Sequence, residues 1–155
     1  MKHLRAWKKV YESDLESIVV ELNEVIEAPA MILLTGEVGT GKTTFTKNFI
    51  SETLGSTEEQ TTSPSYSLVN QVGIIVHADL YRIKNSEEII HLELPLYLEE
   101  KDYFLVEWGR PFLEALRGEI DDSFQIYELI IECNPLQENQ KIQSRNYNLH
   151  KISSL

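Results

Sequence analysis

MILLTGEVGTGKTT, Met31 to Thr44, is the stretch on which the reading of this chain turns. Its apolar start reads as a buried strand, and a helix-capable segment follows its end. Between them stands Gly36-Glu37-Val38-Gly39-Thr40-Gly41-Lys42-Thr43, which is G-x-x-x-x-G-K-[ST] in the strand–loop–helix setting that the pattern requires. Gly36, Gly39 and Gly41 let the backbone turn tightly, so that successive N–H groups, those of Glu37, Val38 and Thr40 among them, point inward at phosphate oxygens. The helix opening at Thr43 and Thr44 adds its positive dipole end to the same cradle. Lys42 supplies a point charge for the β- and γ-phosphates, and the Thr43 hydroxyl is placed to ligate Mg²⁺. A glycine-rich turn with no ligand would leave Lys42-Thr43 unexplained. The stretch predicts a site for a nucleoside triphosphate.

The chain has 155 residues, enough for one domain with a core of its own, and one domain over residues 1–155 is expected. Hydrophobic residues make up 42% and charged residues 25%, an ordinary globular mix that argues against disorder. Fourteen Lys and Arg stand against 25 Asp and Glu, a net charge of −11, which argues against an independent grip on nucleic acid. The single cysteine, Cys133, allows no disulfide within the chain and no cysteine-based metal site, as suits a reducing cytosol. The start, Met1 to Arg5, leads to Ala6-Trp7-Lys8-Lys9 rather than to the apolar run of a signal peptide. No apolar run approaches the length of a membrane span. A soluble, cytoplasmic protein with no membrane attachment is expected.

Either side of the phosphate loop, strands and helices alternate. Leu4 to Tyr11 reads as a short edge strand. Ser13-Asp14-Leu15-Glu16 reads as a capping box, with Leu15, Ile18, Val19, Leu22 and Ile26 forming one helical stripe that Pro29 ends. After the loop a helix runs from Thr44 to Leu54, and Ser56 to Ser63 is polar and loop-like. Strands are expected at Tyr66–Asn70 and Ile74–Asp79, with Gln71-Val72-Gly73 turning between them. Asn85 or Ser86 caps a helix that Pro95 stops, and Pro111 opens a short helix ending near Gly118. Tyr103–Val106 is another buried strand, and Tyr127–Cys133 with Lys141–Leu149 reads as a closing antiparallel hairpin. The fold class is therefore α/β: a single P-loop NTPase-type domain, its central sheet mostly parallel and flanked by helices, with antiparallel edge strands and a C-terminal hairpin.

A phosphate loop needs a further acidic residue near Mg²⁺, usually at the end of a neighbouring strand. Two strands end that way, at Asp79 and at Glu107, and ligands of open α/β sheets gather at those ends. Position alone leaves open which of the two binds the metal and which positions water. Thr61-Thr62-Ser63-Pro64 offers hydroxyls suited to a switch-like segment, or simply to a turn before a strand. Arg82 is suited to steady charge on the phosphates or to pair with a surface glutamate. Trp108 reads as a core or interface aromatic, and His77 as a buried or hydrogen-bonded strand histidine.

Taken in order, these segments resemble the TsaE (YjeE) family of small bacterial P-loop ATPases. The resemblance rests on Gly36 to Phe45, on Ser63-Pro64-Ser65-Tyr66-Ser67-Leu68-Val69, on His77-Ala78-Asp79-Leu80-Tyr81-Arg82, and on Leu105-Val106-Glu107-Trp108. It covers Ser13 to Trp108 well and the tail, Lys141 to Leu155, only loosely. The resemblance implies ATP and Mg²⁺ as ligands, with Lys42 and Thr43 on the phosphates and metal. It gives Glu107 the Walker-B-like role, Asp79 the metal shell or attacking water, and Thr62-Ser63 the switch-like segment. Trp108 would stand where nucleotide and partner surfaces meet. It further implies a slow, partner-stimulated, Mg-dependent ATPase. Such a protein would be a monomer when alone and would act with a TsaB–TsaD-like complex. The product would be N6-threonylcarbamoyladenosine at position 37 of tRNAs that read codons beginning with A, with tRNA met only through that complex. Ser65 stands where the family usually has threonine, and Gly109-Arg110 where proline is common.

Two other readings share the phosphate loop. A small-molecule P-loop kinase would need an arginine-rich lid, and the chain has five arginines with none clustered. A nucleotide-gated binding module without significant turnover would depend on Lys42 and not on Glu107.

Overall fold

The computed structural model describes residues 1–55 and 68–153. In chain order the elements are β1 (Lys2–Val10), α1 (Leu15–Val25), β2 (Ala30–Thr35), α2 (Lys42–Leu54), β3 (Val69–Val72), β4 (Ile75–Asp79), α3 (Ser86–His91), α4 (Leu94–Leu98), β5 (Tyr103–Glu107), α5 (Leu113–Arg117), β6 (Gln125–Cys133) and β7 (Arg145–Ile152). All seven strands join one sheet in the order β1-β7-β6-β2-β5-β4-β3. The four central strands β6, β2, β5 and β4 run parallel, and β3, β7 and β1 pair antiparallel to their neighbours. The expected α/β class, with its parallel centre and antiparallel edges, is what the chain adopts.

The sheet is buried on both faces, which is why β2, β4 and β5 read as continuous apolar runs rather than as alternating ones. Ala30, Ile32 and Leu34 of β2, with Ile75 and Leu105, pack against Leu22 of α1 and Phe45 and Phe49 of α2. The intervening residues Met31 and Leu33, with Val76, Phe104 and Val106, pack on the opposite face against Ile89, Leu94 and Leu116 of α3, α4 and α5. Each of these side chains larger than Ala30, taken wholly out of water, contributes about 1.5–3 kcal/mol. The same parity decides the functional face. His77 and Asp79 stand two and four residues after Ile75, and Glu107 two after Leu105, so all three share the face that carries α2.

Several boundaries differ from expectation, each for a local reason. The first helix is not entered through Ser13 and Glu16. A 3-10 turn over Glu12–Asp14 intervenes, the Asp14 carboxylate accepts the Tyr11 N–H at 2.9 Å, and α1 starts at Leu15. Asn85 does cap α3: its Oδ1 accepts from the Glu88 N–H, while the Glu88 carboxylate accepts from the Asn85 N–H. Pro95 does not stop that helix but opens the next, since a residue without an N–H suits the first turn. The hairpin turn falls at Gly73-Ile74, so β3 runs to Val72, and the first residues of the strand expected at Tyr66–Asn70 lie outside the described region. The closing strand begins at Arg145, not Lys141, and β1 covers its outer edge.

Candidate nucleotide-binding site

The loop after β2 and the start of α2 form one wall of a cavity of about 470 Å³ at the carboxyl ends of the parallel strands. Val38, Gly39, Gly41, Lys42, Thr43 and Thr44 line it from the loop and α2, and Asp79, Tyr81, Glu107, Trp108 and Arg145 from elsewhere. Local chemistry explains the shape of the loop. Gly41, the residue that caps α2, has φ of 100°, a left-handed conformation that side chains resist. Gly36 is needed for a different reason, close approach. A Cβ there would lie 2.5 Å from Thr40 Oγ1 and 2.7 Å from the Ile131 carbonyl oxygen. The Thr40 hydroxyl donates to the Glu37 carbonyl at 2.9 Å and holds the loop's far side. Glu37 is exposed.

Lys42 is 5% exposed, and its Nζ donates to the carbonyls of Gly36 at 2.6 Å and Glu37 at 2.9 Å. It also sits 4.2 Å from the centre of the Trp108 ring, a cation–π contact. Burial pulls its ammonium below the usual 10.5, against the charges of Glu107, Asp79 and Glu37, which hold it up. Trp108 reaches this position because its backbone takes φ of 62° directly after β5, and its ring packs 5.1 Å from that of Tyr81.

Glu107 ties the site together. It is 2% exposed; its Oε1 accepts from the Thr43 hydroxyl at 3.0 Å, and its Oε2 lies 2.6 Å from His77 Nε2. Asp79 is the register partner of Glu107 across the β4–β5 pair, and its carboxylate accepts the Tyr81 N–H at 3.0 Å. A hydroxyl and two carboxylates are the hard oxygen donors that suit Mg²⁺. Among the described residues no group of three or more His, Cys, Asp and Glu is placed to hold a metal.

Of the expected residues, Val38, Gly39, Gly41, Lys42, Thr43 and Thr44 of the loop meet Asp79, Glu107 and Trp108 around one cavity, whereas Gly36, Glu37 and Thr40 do not line it. Thr62 and Ser63 lie outside the described residues.

The model of the family described as threonylcarbamoyl adenosine biosynthesis protein TsaE matches residues 10–145. The chain belongs to the TsaE family. A protein of Bacillus subtilis strain 168 named tRNA threonylcarbamoyladenosine biosynthesis protein TsaE is 34% identical over 124 residues, 77% of this chain and 75% of that one. A protein of the same name from Haemophilus influenzae is 34% identical over 87 residues, 54% of each chain. The crystal structure of Bacillus subtilis YdiB superposes with a TM-score of 0.56 at 22% identity, over 95% of this chain and 85% of that one. That likeness supports the fold.

Two residues of this TsaE-family site were not anticipated in their roles. His77 is the buried, hydrogen-bonded histidine expected, but its partner is Glu107; the period-2 pattern Ile75-Val76-His77-Ala78-Asp79 already placed it on the face of Asp79. Arg145 carries no local motif, and only the pairing of β7 with β6 brings it to the loop. Arg82 is exposed and does not line the cavity.

Proposed function

We propose that this chain binds ATP with Mg²⁺ and hydrolyses it, slowly alone and faster with partners, in the formation of N6-threonylcarbamoyladenosine at position 37 of tRNAs that read codons beginning with A. The partners would be a TsaB–TsaD-like complex, with tRNA met only through it, and the chain a monomer when alone in the cytoplasm. Membership of the TsaE family supports the pathway. The observation that carries the nucleotide reading is the meeting of Lys42, Thr43, Asp79 and Glu107 at one cavity behind a glycine loop.

In this reading Lys42 exchanges its two carbonyl partners for β- and γ-phosphate oxygens, and the N–H groups of residues 36–44 cradle the phosphates. Thr43 and Glu107 hold Mg²⁺, which when bound neutralises charge that builds on the phosphates. Asp79 orients water at the metal shell, and His77 fixes the rotamer of Glu107. Trp108 and Tyr81 wall the mouth of the cavity and exclude water. Thr62 and Ser63 sense the γ-phosphate.

Phosphate release from ATP tests the proposal, measured with the chain alone and with a TsaB–TsaD pair added, wild type beside Glu107→Ala. A clear rise with the pair that disappears in Glu107→Ala is expected. Brisk release that ignores the pair would overturn the partner-dependent role. Tight ATP binding with no release in either condition would turn the reading to a nucleotide-gated binding module.

A further inference from the structure

Glu128 is a buried carboxylate on β6 that plays no part in the nucleotide chemistry above. It is 4% exposed; its Oε1 accepts from Arg110 Nη1 at 2.9 Å and its Oε2 from the Thr35 hydroxyl at 2.6 Å. It stands two residues after Ile126 and so on the face of the sheet opposite α2. Thr35 is the last residue of β2, immediately before Gly36 of the phosphate loop. Arg110 follows Glu107-Trp108-Gly109, where the chain leaves β5. One carboxylate therefore ties together the roots of two segments that flank the cavity.

The route of the chain gives this tie a consequence. Val106, Leu33 and Glu128 are register neighbours in a row across β5, β2 and β6. After Trp108 the chain turns back over that row. A Cβ on Gly109 would lie 2.6 Å from Val106 Cγ1 and 3.0 Å from Leu33 Cδ2, and Arg110 reaches Glu128 beyond them. Trp108 makes the turn with φ of 62°, an outlier for a bulky side chain that persists only where its neighbours fix it. In that conformation its ring stands 4.2 Å from Lys42 Nζ. Phe112 and Leu113 pack the far end of the segment, whereas Arg110 holds it two residues from Trp108.

From this geometry we infer that Arg110 and Glu128 are the positioning pair of the site: by drawing the chain from β5 across β2 to β6, they fix the backbone turn that sets the Trp108 ring over Lys42. Neither residue touches the cavity, and both act through Trp108. The part of this that concerns ligand binding rests on the nucleotide reading above; the placement of Trp108 does not.

The test uses the full chain with Trp7→Phe, which leaves Trp108 as its only tryptophan. Arg110→Met alone would strand a buried charge, so the tie is removed by Arg110→Met combined with Glu128→Gln. In this neutral pair, without ligand, Trp108 emission should shift to the red and acrylamide should quench it faster. MgATP, titrated calorimetrically, should bind about three- to tenfold more weakly as the ring leaves Lys42. Arg110→Lys keeps the charge, shortens the reach and should show a smaller shift in the same direction; it stands in if the neutral pair fails to fold. With Trp108→Ala already in place, the neutral pair should cost no further affinity, a non-additivity that a merely structural pair would not give. Unchanged emission and quenching would overturn the inference, and so would an affinity loss that persists undiminished in Trp108→Ala. Wild type that fails to bind MgATP would overturn the nucleotide reading instead, while the emission measured without ligand would still decide the placement of Trp108.

Discussion

Replacing His77 with leucine probes the bond on which the geometry of Glu107 depends. His77 and Glu107 are 8% and 2% exposed, and the 2.6 Å contact between them is the sole hydrogen bond to Glu107 Oε2 among the described residues. Leucine keeps most of the volume and removes the partner, so the cost is that of an unpaired oxygen on a buried carboxylate rather than of a cavity. A hydrogen bond to a charged group contributes about 1.5–3 kcal/mol. For a domain of this size each kcal/mol moves Tm by about 2–4 °C, so His77→Leu should melt roughly 3–12 °C lower. In urea the midpoint should fall while the slope is unchanged, because no additional surface is exposed on unfolding. The pair is isolated by a cycle with Glu107→Gln, whose coupling should be about 1–2 kcal/mol. Thr43→Val is the comparison: Thr43 is exposed, water can replace its hydroxyl on Oε1, and the loss should stay under about 1 kcal/mol. If His77→Leu costs less than about 0.5 kcal/mol, or adds to Glu107→Gln without coupling, the imidazole does not hold the carboxylate and the reasoning is wrong.

Three further outcomes follow from the same geometry. Gly36→Ala would drive a Cβ to within 2.7 Å of the Ile131 carbonyl oxygen, which belongs to backbone and cannot step aside; about 1–3 kcal/mol of stability should go, together with ATP binding, and an unchanged urea midpoint would refute it. Burial pushes the Tyr147 hydroxyl up from 10.0 to about 12, so the native state keeps its proton where the unfolded chain has lost it. Stability should therefore be intact below pH 10 and decline by about 2–3 kcal/mol as pH rises to 12, a slope that Tyr147→Phe should remove in unfolding curves taken at stepped pH. Chelating Mg²⁺ should weaken ATP binding by more than about tenfold, since a bare triphosphate meets Glu107 and Asp79 at about 3 kcal/mol per unit charge pair at ~6 Å and an effective dielectric of ~20. Equal titration curves with and without chelator would contradict this.

How much of this was legible depends on whether a feature is local. Strands β2, β4 and β5 were readable because burial on both faces leaves His77 as the one polar residue inside them. The phosphate loop was readable because its glycines, Lys42 and Thr43 act within one turn of chain. β1 was harder: it lies at the sheet edge, and of its nine residues only Trp7 and Val10 are buried, so alternation is weak. Pro95 is ambiguous in sequence because the same missing N–H that forbids a helix interior favours a helix start. The contacts that complete the site are non-local. His77 meets Glu107 from 30 residues away, and Arg145 reaches Gly41 only once β6 lies beside β2. Parity assigns a face to such residues, but strand order decides which neighbours they meet there, and strand order is not written in any one segment.

The charge of the chain and the charge of its site obey different distances. A net −11 would seem to repel a polyanion, yet at physiological salt a surface carboxylate beyond ~8 Å is largely screened from the cavity. What a phosphate meets is the lining: Lys42 and Arg145 against Asp79 and Glu107, two cations and two anions that nearly cancel. With the side chains so balanced, the uncancelled attraction comes from backbone, the N–H groups of the loop and the first turn of α2, which carry no titratable charge and are held in place by the sheet. Lys42 donates to the carbonyls of Gly36 and Glu37, so its burial is offset by hydrogen bonds that a bound phosphate would have to replace in kind. On the proposed reading, a ligand that brought charge without oxygens at those positions would leave Lys42 where it is, and the cavity would select for phosphate geometry as well as for negative charge.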